Sequence, residues 1–280
     1  MRNKLNFSGE LMCFKKIISF TTIALTIVAV SLNVNAAGPK QEPSGQVADR
    51  NGEHPAASPS STFRDCQNCP EMTVVSAGRF EMGDAYNKHT VTFSRPFAIG
   101  KFEVTQAQWG AVMGEYPSQF GSCANCPVEN VSWNDTQEFI KKLNAKTGRQ
   151  YRLPSEAEWE AACRGGEKQQ YCGSDDVKSV AWYGENSDGT THPVGQKQAN
   201  AYGLYDMSGN VWEWVEDGWH KTYDGAPVDG TAWQASDSSH VLRGGSWYFD
   251  PWIIDAADRN WNVPSFRYGT LGFRLARTLP

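Results

Sequence analysis

Apolar and polar residues alternate from Met72 to Met82 with Ala77-Gly78 near the middle, a pattern that predicts two short strands closed as a hairpin. Strand-like text continues from Thr90 to Val104. At Thr105 the period changes: Gln106, Gln108 and Trp109 lead to Val112 and Met113 at helical spacing, with Thr105 placed to cap the first turn. A second helix starts from Ser132, with Asp135 three residues on, Phe139, Ile140 and Leu143 on one face, and Gly148 at its end. The third is short, with Ser155 and Glu158 at capping-box spacing and Gly165-Gly166 as its stop. Beyond Gly166 no helical period of useful length returns. Gly, Asn, Asp and Ser separate short apolar pieces, so the second half should be short strands joined by long loops. So much irregular backbone needs fixing by disulfides or bound metal. The expected class is α+β.

The ends of the chain read differently. Lys15 and Lys16 precede an apolar run from Ile17 to Val30, and Val34-Asn35-Ala36 offers small residues for cleavage, so residues 1–36 are expected to be a secretory signal peptide. The run is shorter than the ~20 residues a membrane span needs, and no stable membrane insertion is expected after cleavage. Residues 37–70 carry Pro, Gly, Ser and polar side chains with few large apolar ones, and are expected to form a flexible leader. No second composition shift follows, so residues 71–280 are expected to be one domain. A net charge of -5 without a basic run excludes a nucleic-acid partner. The expected partner is a protein or a small molecule, met in the periplasm or outside the cell.

Six cysteines follow the signal, and an even count in an exported chain reads as disulfides. Cys163 and Cys172 flank Arg164-Gly165-Gly166 and are expected to pair. That leaves two bridges among Cys66, Cys69, Cys123 and Cys126, with their pairing open. Two CxxC pairs could instead hold zinc, although more than 50 residues separate them in a non-reducing compartment, or one could be redox-active, although both lie in loop-like text rather than at a helix start.

Asp206-Met207-Ser208-Gly209-Asn210-Val211-Trp212-Glu213 sets two carboxylates around a Gly-Asn turn, a mixture of oxygens that suits Ca²⁺. By spacing alone, acidic residues at a turn are more often solvated surface. Further motifs are Ala77-Gly78-Arg79-Phe80-Glu81-Met82-Gly83, Glu103-Val104-Thr105, Pro127 to Trp133, Arg152 to Glu160, Gly203-Leu204-Tyr205-Asp206, Gly244-Gly245-Ser246-Trp247 and Leu271-Gly272-Phe273-Arg274. In this order they resemble the formylglycine-generating enzyme (sulfatase-modifying factor) family from about Glu71 to Arg277. The resemblance implies a C-type-lectin-like fold with extensive calcium-stabilised loops, and a structural calcium held by Asp206, Gly209, Val211 and Glu213. The family's other calcium site would fall near Val180 to Asp188, where Ala181-Trp182-Tyr183 offers no side-chain oxygen. Two family cysteines that bind copper and oxidise a substrate cysteine map onto Phe249 and Ile254. No copper is expected, and neither is that reaction.

The segment from Val241 to Arg274 then reads as a contact surface. Tyr248, Phe249, Asp250, Trp252, Ile253, Trp261, Phe266 and Tyr268 form an amphipathic mixture like that of binding loops. Trp247, Phe273 and about half of the other aromatics are expected to pack into the core. The resemblance extends to lectin-fold proteins diversified by retroelements in this segment, and to periplasmic relatives that mature a siderophore chromophore without the cysteine pair. Binding is therefore the first reading, cysteine-independent oxidative maturation the second, and an accessory scaffold subunit the third. For catalysis the candidate polar groups are Asp250, Asp255, Asp258 and Arg259, although a carboxylate beside an arginine is more often a structural ion pair. His192 and His220 lack a third metal ligand at a sensible spacing.

Overall fold

The computed structural model of the protein describes residues 61–235 and 239–279. The expected signal peptide and residues 37–60 of the expected leader lie outside the described residues.

In chain order the strands are β1 (Thr62–Phe63), β2 (Met72–Val75), β3 (Gly78–Gly83), β4 (Lys88–Phe93), β5 (Phe97–Gly100), β6 (Tyr151–Arg152), β7 (Trp212–Gly218), β8 (His240–Arg243), β9 (Arg259–Asn262), β10 (Leu271–Gly272) and β11 (Ala276–Thr278). The helices are α1 (Gln106–Met113), α2 (Trp133–Thr147), α3 (Glu156–Arg164) and α4 (Val177–Val180), with one 3₁₀ turn at Pro251–Ile253. One sheet has the order β1-β2-β5-β11-β6, a second β10-β7-β8-β9, and β3 pairs with β4 alone.

The first three helices begin and end on side-chain chemistry. Thr105, Ser132 and Ser155 each accept the N–H three residues on, and Gln108, Asp135 and Glu158 return the bond to the cap. Each then ends on a left-handed glycine: Gly114, Gly148 and Gly165.

Two expectations are corrected. β2 and β3 do not form a hairpin: β2 lies between β1 and β5, while β3 turns back on β4. Asp84 makes that turn, its Oδ1 accepting the N–H groups of Tyr86 and Asn87 at 2.8 and 2.7 Å. At Ser76-Ala77 the chain passes from one sheet to another, which an alternating pattern cannot distinguish from a turn. Residues 61–70 also belong to the domain rather than to a leader. Phe63 pairs with Met72, and Cys69 is fully buried in a core with Met72, Val104 and Trp109.

Two large apolar clusters fill the domain. One gathers Val91, Phe97, Trp159 and Val241, the other Trp109, Phe139, Trp214 and Phe273. The second sheet positions the surface. β7 meets β8 with Glu213 opposite Arg243, β8 meets β9 with Arg243 opposite Arg259, and β10 runs parallel to β7 with Leu271 opposite Trp212. Residues 244–258 therefore join β8 to β9 at the end of the sheet where β7 and β10 begin, and residues 263–270 bring the chain back to that end.

The six cysteines form three disulfides: Cys66–Cys69, Cys123–Cys126 and Cys163–Cys172. Each CxxC closes on itself, so no four-thiolate zinc site forms. Among the described residues no helix is long and apolar enough to cross a membrane.

Candidate functional site

The loop after β8 is pinned to the frame by its backbone. Gly209 N–H donates to Gly244 O (2.8 Å), Trp247 N–H to Asn210 O (2.9 Å), Gly184 N–H to Phe249 O (2.9 Å) and Ser187 Oγ to Trp247 O (2.7 Å). Trp247 is half-buried, and its Nε1 donates to Gly269 O at 2.9 Å, tying the two loops of the segment together.

On this scaffold the side chains divide. Tyr248 (65 % exposed), Trp252 (69 %), Tyr268 (58 %), Trp261, Phe266 and Asp250 face solvent. Phe249 and Ile253 are half-buried against the core, with the Phe249 ring edge-on to Trp212 at 6.0 Å. Phe273 is wholly in the core. Ile254 is fully buried with Tyr171, Val180, Ala181 and Tyr183. The two positions that the sequence resemblance sets against a cysteine pair thus carry hydrocarbon side chains, one sealed and one packed on a tryptophan.

The other candidate polar groups are structural. Arg259 forms a bidentate pair with Glu156 (2.6 and 2.7 Å), and its guanidinium lies over Tyr223 and Trp219. Asp255 Oδ1 accepts Ala257 N–H, and burial raises Asp258 to about 6 against the pull of Arg243. His192 stacks on Trp182 and His220 on Trp233, each ring also bonded to a backbone carbonyl. Among the described residues no three His, Cys, Asp or Glu side chains converge to hold a metal ion.

The 206–213 loop lies under this surface, and its conformation explains its residues. Asp206, Gly209 and Asn210 all have positive φ, and a Cβ on Gly209 would stand 2.2 Å from Trp182 O, so glycine is required there. Glu213 is buried. Its Oε2 accepts from Trp159 Nε1 and Arg274 Nε, both at 2.7 Å, and its Oε1 accepts Arg274 Nη2 at 2.7 Å. Asp206 Oδ2 accepts Gly195 N–H at 2.7 Å, while Oδ1 is buried with no partner.

A third carboxylate joins them. Glu103, buried in the same place, accepts Asn210 Nδ2 (2.6 Å) and Val211 N–H (3.1 Å). Burial, then Asp206 and Glu213, push Glu103 well above its usual value, and burial pushes Asp206 to about 6. Three buried carboxylates thus face one buried guanidinium, Arg274. A divalent cation would therefore be held through the orphaned Asp206 Oδ1 and main-chain oxygens rather than by a cluster of three acidic side chains. Glu213 could join only by sharing Oε1, since Oε2 already accepts two donors. The sequence marks Glu103 only as part of a motif; its role depends on a loop more than 100 residues away.

Sequence reasoning also missed Glu129. It is fully buried, with Oε1 accepting Phe120 N–H at 2.8 Å and Oε2 lacking any partner. Burial raises it to about 7, against the N–H groups of Phe120 and Gln119. The one available signal was an acid between Val128 and Val131, a position flanked by core residues.

Residues 58–279 match the model of the sulfatase-modifying factor enzyme 1-like domain. The chain belongs to this family. It is 34% identical over 231 residues to the chaperone protein LppX of Paenibacillus barcinonensis, covering 63% of this chain and 78% of that protein. With the formylglycine-generating enzyme of Streptomyces coelicolor it shares 34% over 173 residues, 54% of this chain, and spans about half of that enzyme (52%). Among solved structures it is similar to PvdO from Pseudomonas aeruginosa, at 34% identity and a TM-score of 0.72 over 80% of this chain and 100% of that one. It is likewise similar to Treponema denticola variable protein 1, at 32% identity and a TM-score of 0.73 over 78% of this chain and 98% of that one. The α+β architecture read from the sequence is the fold of this family.

Proposed function

We propose that this protein is an exported binding module of the sulfatase-modifying factor family whose aromatic loops, residues 247–270, contact a protein or small-molecule ligand. The observation that carries the reading is the division within one segment. Ile254 and Phe249 fill the place of the family's copper-binding cysteines with hydrocarbon, while Tyr248, Trp252, Trp261, Phe266 and Tyr268 are held outward on a hydrogen-bonded frame. Among the exposed rings Phe266 and Tyr268 stack at 6.2 Å, and exposed aromatics on ordered loops are a usual mark of a contact site. The likeness to Treponema denticola variable protein 1 supports a binding role. Three disulfides fit an oxidising compartment, periplasmic or extracellular.

A structural calcium belongs to the same reading. Asp206 Oδ1 and the main-chain oxygens of Gly209 and Val211 would hold it, with Glu213 sharing Oε1. The ion would supply charge neutralisation to a frame that buries more acid than base.

Cysteine-independent oxidative maturation is the second reading, favoured by the match across the whole length of PvdO. One experiment separates the two. Tyr248→Ala and Trp252→Ala should leave the melting temperature near that of the parent and abolish retention of whatever envelope component the parent retains. If both variants retain it, the surface is wrongly assigned; oxidation of a peptide cysteine by the copper-treated protein would refute the absence of family chemistry.

A further inference from the structure

The three disulfides differ in what solvent reaches. Cys69, Cys126, Cys163 and Cys172 are buried and Cys123 is half-buried, whereas Cys66 is exposed. Its partner Cys69 lies wholly in the core beside Met72, Val104 and Trp109. One sulfur of this bridge is therefore open to attack and the other is shielded. A cavity of about 390 Å³ adjoins the open one. Ala111, Val112 and Leu143 give it an apolar wall, and Asn68 and Lys146 give it polar groups. The Lys146 ammonium is fixed there by donating to Ala111 O at 2.8 Å, at the end of α1.

The loop that carries this bridge is held without it. Next to Cys66, the Asp65 carboxylate accepts the Tyr151 hydroxyl at 2.5 Å and Arg277 Nη1 at 2.8 Å, and pairs with Arg149 at 3.2 Å. Beyond Cys69, Glu71 pairs with Arg64 and Lys101 at 2.8 and 3.1 Å. Cys69 N–H donates to Cys66 O at 3.2 Å, and Thr62 and Phe63 pair with Thr73 and Met72. Both ends of the loop are thus anchored by bonds that remain when the sulfurs part. A cross-link with a separation of 3 also constrains the unfolded chain least. The bridge can open while the fold stays intact.

We infer that Cys66–Cys69 is a thiol–disulfide exchange site that takes electrons from the dithiol of a peptide segment seated in the adjoining cavity. It uses none of the aromatic loops and does not rest on the binding reading. Exchange depends on which sulfur can be reached, and here only Cys66 can. A substrate thiolate attacks Cys66 Sγ; the bond to Cys69 breaks as the mixed disulfide forms, and Cys69 leaves and takes up the proton given off by the substrate thiol. The second substrate thiolate then attacks its own sulfur in the mixed disulfide. Cys66 leaves and is protonated in turn. Two electrons and two protons pass to the protein, and the substrate departs as a disulfide. The Lys146 ammonium favours the incoming thiolate, and the apolar wall gives the residues beside the substrate cysteine a place to be buried.

The test incubates the folded mature protein with a peptide carrying two cysteines, quenches with acid, alkylates the free thiols and locates them by mass spectrometry. The expected result is alkylation of Cys66 and Cys69 at least about tenfold faster than of Cys123 and Cys126, with an equal amount of peptide disulfide and an unchanged circular dichroism spectrum. Three variants report on the geometry. Cys69→Ala leaves the exposed Cys66 thiol, which should form a mixed disulfide with oxidised glutathione; Cys66→Ala leaves the buried Cys69 thiol, which should not. Ala111→Trp, at an exposed helix position, narrows the cavity and should slow exchange with the peptide more than exchange with glutathione. If Cys66–Cys69 opens no faster than Cys123–Cys126, or only where the protein also unfolds, it is a structural cross-link and the proposal falls. Peptide exchange that ignores Ala111→Trp overturns it equally, because the substrate is then not seated in the cavity.

Discussion

At Glu129 the free energy of burial has a measurable sign. Burial, opposed by the Phe120 and Gln119 N–H groups, raises the carboxyl from its usual 4.5 to about 7. A carboxyl with a higher pKa folded than unfolded binds its proton more tightly in the folded state. Its contribution is therefore fully present below 4.5 and is lost as pH climbs to about 7. The loss is on the order of 3 kcal/mol for a shift of this size. Urea unfolding at pH 5 and pH 8 should show the parent losing more stability than Glu129→Gln between the two, by roughly that amount. Other buried acids titrate too, so the difference between the proteins is the reading, and parallel losses would sink it. At this scale the sequence was uneven. Phe249 and Ile254 were legible as side chains without a thiolate, because identity alone decides it. Glu129 was not, because what buries it is residues 118–120, which return to it from outside its own segment.

Elements were legible where their signals were local. All three capped helices stand where the sequence pattern places them, since cap, box partner and stopping glycine lie within one run of chain. The β2–β3 hairpin failed because β2 chooses β5, a partner more than 20 residues on, over its neighbour. The loop before β7 is intermediate. Its residues were legible from the family resemblance, but the Arg274–Glu213–Trp159 cluster and the intrusion of Glu103 were not, being contacts between distant elements. That arrangement leads to a prediction about calcium. Asp206 Oδ1 is the buried oxygen without a partner, so a bound ion should depend on it more than on Glu213, which Arg274 already neutralises. Saturating Ca²⁺ should raise the melting temperature of the chelator-treated parent, by about 2.7 kcal/mol of stability at a hundredfold excess over Kd. Asp206→Ala should remove most of that rise even where its own melting temperature is lower. An unchanged melting temperature on adding Ca²⁺ to the parent would eliminate the ion from the frame.

Across the whole molecule, long irregular stretches lie between few and short strands, and cross-links carry part of what ladders do elsewhere. The three disulfides differ in what they close. Cys66–Cys69 and Cys123–Cys126 each span a separation of 3, whereas Cys163–Cys172 spans 9. Chain entropy alone makes the longest loop worth about 3 kcal/mol and each short one about 2. Packing widens the gap. Cys163 is fully buried at the end of α3, its carbonyl accepting Asn200 Nδ2 at 2.9 Å, and Cys172 N–H donates to Ser208 Oγ at 3.2 Å. Ser208 Oγ in turn donates to Ile254 O. The bridge thus fastens α3 to the loops that carry both the carboxylate frame and the aromatic surface. Replacing Cys163 and Cys172 together by Ala should cost more stability than replacing either CxxC pair, and should also weaken ligand retention by the distant Tyr248 and Trp252. The Cys66, Cys69 double variant should lower the unfolding midpoint modestly and leave retention unchanged, because its loop packs at the β1–β2 edge of the other sheet. Unfolding midpoints of the three double variants, measured beside retention, decide the matter. If the Cys66, Cys69 variant proved the most damaging to binding, the surface would be supported from the β1–β2 edge rather than from α3.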